Sequence, residues 1–139
     1  MINDNKFFIN GIKSIVFIGW CPNIDELIKI SKSFDLKTLV ITSPNQKKLF
    51  SKHVKVNSFT KINTKNFKDF IFKSCNIEKT LFISISSMFI FEKKMIDFFK
   101  GHLINYFPSR LPYDQGRGGF SWHIMREDRI SNQLFHLID

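Results

Sequence analysis

At 139 residues and 16.4 kDa the chain can bury one domain's core. Its 43% hydrophobic and 24% charged residues fall in the ordinary globular range, and no apolar run is long enough to span a bilayer as a helix. The net charge of +9 does not make nucleic acid an expected partner: lysines are spread along helix-like faces rather than gathered in a block, which leaves only a general attraction for anionic substrates.

The opening residues carry Asp4 and lack the long apolar segment of a secretory leader, so a cytoplasmic location and no membrane partner are expected. Cys21 and Cys75 stand far apart with no CxxC partner, so they read as buried thiols and no metal is expected. Residues 1–13 read as an N-terminal extension and 14–139 as one domain.

Residues 14–19 form a buried strand ending at Gly19. Pro22 and Asn23 start a helix, with Asp25 and Glu26 in its first turn, where the helix dipole favours them. Leu27, Ile28, Ile30 and Phe34 mark its inward face. Residues 36–41 are the second strand; a short helix over 46–50 and a weak strand at 54–56 follow. A helix over 64–74 carries Phe67, Phe70, Ile71 and Phe72. The next strand is 80–85, then a helix over 91–99 that stops at Gly101. Residues 103–105 form a strand leading into a loop, 120–126 a short helix and 133–138 a final strand. This alternation predicts an α/β domain: a Rossmann-like, doubly wound, mostly parallel sheet with helices on both faces.

The first strand-to-helix turn, Gly19-Trp20-Cys21-Pro22, is not a dinucleotide fingerprint. It has one of the three required glycines, and Trp20 and Pro22 would keep its amides from a pyrophosphate. No Walker-type motif occurs either.

The most informative stretch is Asn105-Tyr106-Phe107-Pro108-Ser109-Arg110-Leu111-Pro112, running into Gly116-Arg117-Gly118-Gly119-Phe120-Ser121-Trp122. A polar amide at the carboxyl end of a buried strand, followed by a glycine-rich loop, is where an open α/β sheet places its chemistry. The plainer reading of Asn105 is a strand-end residue that makes a turn; the loop that follows favours the site.

This region resembles the folate-dependent formyltransferases, whose hallmark is Asn-x-His at the end of a central strand and then a Leu-Pro loop with glycine. One branch carries Arg-Leu-Pro and Gly-Gly-Phe-Ser-Trp, an Arg-rich helix and a strand ending His-Leu-Val-Asp. Here the corresponding residues are Arg110-Leu111-Pro112, Gly118 to Trp122, Arg126 with Arg129, and His136-Leu137-Ile138-Asp139. The close match covers residues 101–139; residues 14–85 agree only in the order of strands and helices.

The resemblance implies transfer of a formyl group from formyltetrahydrofolate to an amine, such as that of a nucleotide-linked amino sugar. It makes Asn105 the catalytic amide that stabilises the oxyanion, and places Ser109, Arg110, Leu111, Pro112, Gly116, Arg117 and Gly118 around the folate. Two departures count against turnover. Phe107 occupies the catalytic His position, and the family's Asp falls beyond Asp139, so the domain is expected to be truncated and weakly active or inactive. The alternative is a non-catalytic domain of this fold that binds folate or a partner. An unfinished sheet edge at 133–138 predicts a homodimer.

The histidines divide by position. His102 at a strand start suits a surface or capping role, His53 a solvated loop, and His136 a structural role beside the sheet. His123 in the short helix reads as structural, with the cleft as its alternative. Arg110 and Arg117 suit either a bound anion or solvent. Trp122 and Phe120 are expected in the core.

Overall fold

The computed structural model describes residues 11–108, 119–127 and 133–138. Two apolar runs make the centre of the molecule: β1 (Ser14–Gly19), buried along its whole length, and β4 (Thr80–Ile85). In chain order between and after them come α1 (Ile24–Ser33), β2 (Lys37–Thr42), α2 (Pro44–Lys47), β3 (Asn57–Ser58) and α3 (Lys65–Ser74), then, beyond β4, α4 (Lys93–Phe98), β5 (Leu103–Phe107), α5 (Gly119–Met125) and β6 (Leu134–Leu137). The strands form one sheet in the order β3-β2-β1-β4-β5-β6. All neighbours are parallel except β5 and β6, which run antiparallel. This is the doubly wound α/β sheet expected from the sequence, reversing direction of growth between β1 and β4.

Period-two alternation sends the strand side chains to two cores. On one face Val16, Ile18, Ile41, Phe82 and Leu103 meet Phe67 and Ile71 of α3 and Met95 of α4. Phe99 stands at its middle, its ring centroid 4.6 Å from Phe82 and 6.4 Å from Phe67. A fully buried Phe contributes roughly 1.5–3 kcal/mol, so this trio is a main support of that face. On the other face Ile15, Phe17, Val40 and Ile85 pack with Ile24 and Ile28 of α1.

Several boundaries differ from the sequence reading, each for a local reason. β2 begins at Lys37 because the Leu36 amide is spent on the Ser31 carbonyl, closing α1 through Asp35 at a φ of 57°. α2 starts earlier than residue 46: Pro44 opens it and the Ser43 hydroxyl accepts from the Gln46 amide. The third strand lies at 57–58, not 54–56, since only there does it pair with β2, while Val54 and Val56 pack into the second core. α4 begins after Glu92, and Phe91 joins the first core instead.

The inward face of α1 also differs. It follows Ile24, Ile28 and Ser31, whereas Ile30 and Phe34 are exposed, Phe34 by 72%. Ser31 is tolerated inside because its hydroxyl bonds the Ile28 carbonyl and the Thr38 hydroxyl. Phe72 of α3 is exposed as well, stacked edge-on with Phe98 at 5.4 Å. No helix among the described residues is long and apolar enough to cross a membrane.

Candidate active site at the carboxyl ends of the central strands

In an open parallel sheet the crevice outside the carboxyl ends, beside the point where strand order reverses, is the place a ligand can reach. Here that point is the gap between β1 and β4. Gly19 crosses it so closely that a Cβ would sit 2.0 Å from the Ile85 carbonyl oxygen, and its φ is +111°. The glycine is therefore demanded by the neighbouring strand, not by a phosphate. The next amide, Trp20, donates to the same Ile85 carbonyl at 3.0 Å. That leaves one fewer loop amide for an anion, in line with the missing fingerprint.

The segment after β4 is pinned from across the sheet. Ser86 has a φ of 45°, its carbonyl accepts from Gln46 Nε2 at 2.8 Å, and the Thr42 hydroxyl holds Gln46 Oε1 at 3.2 Å. The Ser87 hydroxyl accepts from the Phe89 amide at 3.1 Å. Met88 and Ile90 of this loop are exposed apolar side chains.

Asn105 is not at the end of its strand, as the sequence suggested. β5 continues to Phe107 because β6 pairs with its last residues, Tyr106 with Phe135 and Phe107 with Leu134. In register, Ser84 of β4, Asn105 of β5 and His136 of β6 lie side by side. Directly paired residues share a face, so these three form a polar row at the end of the first core. Asn105 and His136 are half-buried and Ser84 is buried.

The row is hydrogen-bonded. Asn105 Nδ2 lies 3.2 Å from His136 Nε2, and His136 Nδ1 lies 2.9 Å from the Leu137 carbonyl oxygen. A carbonyl only accepts, so Nδ1 carries the proton; in the neutral ring Nε2 is then an acceptor and the Asn105 amide donates to it. Among the described residues no partner for the second Nδ2 proton is found. His136 thus stands beside the sheet, as its position in the sequence suggested, and there it meets Asn105. Its signal was faint, because pairing across an antiparallel register is not written locally. Phe107 projects on the Asn105 side two residues on, half-buried, and can neither donate a hydrogen bond nor move a proton.

The other predicted positions separate as follows. Ser109, Arg110, Leu111, Pro112, Gly116, Arg117 and Gly118 lie outside the described residues. Trp122, expected in the core, is 57% exposed on α5, while His123 beside it is buried. His102 belongs to the opposite end of the sheet, its Nδ1 2.9 Å from the Ile77 carbonyl oxygen. His53 is solvated, 3.4 Å from Asp25. Cys21 and Cys75 are half-buried and free, and burial pushes both thiols above their ordinary range. A cleft of about 590 Å³ lined by Phe72, Cys75, Ile77, Phe98 and Lys100 opens at the amino end of β4, away from Asn105.

No protein-family model matches the chain, and no curated protein matches it in sequence. Solved structures do match in fold. Glycinamide ribonucleotide transformylase 1 from Geobacillus kaustophilus has a TM-score of 0.67 at 16% identity, over 92% of this chain and 74% of that one. A formyltetrahydrofolate deformylase from Pseudomonas syringae pv. tomato has a TM-score of 0.67 at 13% identity, over 94% of this chain and 47% of that one. The formyltransferase PseJ from Anoxybacillus kamchatkensis, in complex with UDP-4,6-dideoxy-4-formamido-L-AltNAc and tetrahydrofolate, has a TM-score of 0.53 at 20% identity, over 91% and 52%. The chain thus spans about half the length of the last two. What it shares with all three is the fold: its Rossmann-like sheet is that of the formyltransferase structures.

Proposed function

We propose that the crevice beside Asn105 is a formyltetrahydrofolate site of the formyltransferase type. The observation that carries this reading is the Asn105 amide, set at the carboxyl side of the sheet with one proton engaged by His136. When an amine attacks the formyl carbon, negative charge gathers on the formyl oxygen. A fixed amide donor stabilises that oxygen; such donors are worth about 10²–10³ in rate. The exposed apolar side chains of Met88 and Ile90 offer surface for a flat ring system, and the net charge of +9 suits the donor's carboxylates.

The acceptor we favour is the amine of a nucleotide-linked amino sugar. Support comes from the Arg110-Leu111-Pro112 and Gly118-Gly119-Phe120-Ser121-Trp122 segments and from the sugar nucleotide in the PseJ complex. With Phe107 where the formyltransferase pattern carries His, proton transfer has no side-chain partner at that position. General acid–base help is worth about 10²–10⁴ in rate, so transfer by this chain is slow. The same Phe107 favours a second reading, a folate-binding domain without catalysis.

Calorimetric titration with 5-formyltetrahydrofolate tests the first step. Saturable binding is expected, with Asn105→Ala weakening it about tenfold or more. A wild-type chain that binds no folate at all would end the proposal. Incubation with 10-formyltetrahydrofolate and amino-sugar nucleotides then separates the two readings. Formylated product above the uncatalysed background marks an enzyme, and bound folate without product marks a binding domain.

A further inference from the structure

We infer that His136 is a positioning residue that fixes which end of the Asn105 amide faces the ligand; this deepens the formyl-site reading and rests on it. An asparagine amide is nearly the same shape after a half-turn about its last bond, but the two orientations are chemically opposite. With Nδ2 toward a formyl oxygen the amide stabilises developing negative charge. With Oδ1 there instead, it repels that charge. The backbone of β5 cannot choose between them.

The choice is made across the sheet. His136 stands directly opposite Asn105 in the β5–β6 register, with its Nε2 3.2 Å from Asn105 Nδ2. The ring's own state is set by a second bond, Nδ1 to the Leu137 carbonyl oxygen at 2.9 Å. That carbonyl admits only a protonated Nδ1, so Nε2 of the neutral ring is a bare acceptor and only Nδ2 can satisfy it. Flipping the amide would bring its oxygen against a lone pair and lose the bond. A backbone carbonyl thereby fixes a tautomer, and the tautomer fixes an amide. The strand partner on the other side, Ser84, is buried, so the row is held between β4 and β6. His136 acts through Asn105 and needs no contact with the substrate.

The test uses the full chain labelled with ¹⁵N. The imidazole nitrogens of His136 should report a neutral ring protonated at Nδ1 and bare at Nε2, and the two Asn105 Nδ2 protons should be distinct, one shifted by its bond. In His136→Leu that shift should collapse, and affinity for 5-formyltetrahydrofolate should fall roughly tenfold, the size of one lost hydrogen bond. His136→Gln, whose Oε1 can accept from the same Nδ2, should restore the Asn105 signal and most of the affinity. A ring protonated at Nε2 in the wild type would overturn the inference, as would an Asn105 amide unmoved in His136→Leu. Should the leucine variant fail to fold, the wild-type tautomer and the glutamine variant decide. A wild-type chain that bound no folate would sink the proposed function alone, since the amide and imidazole signals are read without ligand.

Discussion

Phe107 and Asn105 sit two residues apart on one face of β5, yet they pull the chemistry in opposite directions. Under the proposed function the Asn105 amide would stabilise charge on an oxygen, while the Phe107 ring has no group that moves a proton. The two effects differ in how easily they are reversed. Phe107 is half-buried and pairs with Leu134 at the edge of the described sheet, so a smaller polar ring can replace it with little disturbance. Phe107→His is therefore expected to raise formyl transfer by about 10²-fold if the site is otherwise intact. The measurement is product formation from 10-formyltetrahydrofolate at fixed acceptor. An unchanged rate in a variant that still binds folate would favour the non-catalytic domain. The lysine-rich surface, by contrast, contributes no residue to this row.

At the scale of elements, the sequence was legible wherever a local pattern suffices. The alternation of strands and helices, the buried runs of β1 and β4 and the helix over Lys65–Ser74 could all be read directly. Thr64 shows why: its hydroxyl accepts from the Phe67 amide at 3.2 Å, satisfying one of the open donors at the start of α3. Thr64→Ala should cost about 1 kcal/mol in urea unfolding, with the slope of the transition unchanged. A cost near zero would show that α3 is held by the packing of Phe67 and Ile71 alone. What could not be read were relations between elements. Ser31 enters the core with its hydroxyl bonded to the Ile28 carbonyl and to Thr38 of another element, whereas the apolar period of α1 pointed to Ile30 and Phe34. Likewise, the length of β5 and the company of Asn105 depend on the register of β6, and a one-residue slip would put His136 on the opposite face. Trp122 was misjudged for a related reason: hydrophobicity alone does not say which side of α5 meets the sheet.

For the molecule as a whole, the proposed folate site would couple ligand to stability. A folate that binds the folded sheet and not the unfolded chain must raise the unfolding free energy, by about 2.7 kcal/mol at a hundred times its dissociation constant. Thermal or urea melts with and without 5-formyltetrahydrofolate should show this gain, and Asn105→Ala should lose most of it. A melt that ignores the ligand would contradict binding to the native fold. The gain is not spread evenly along the chain. The two strands that hold Asn105 and His136 lie on the same side of the reversal point, far from β2 and β3, so protection by a ligand bound at the proposed site should be concentrated there.

The bond between Asn105 and His136 joins residues separated by 31 positions. A ribosome makes the asparagine first and the histidine later. If His136 directs the amide as inferred above, that direction is set only once the last described strand has joined the sheet.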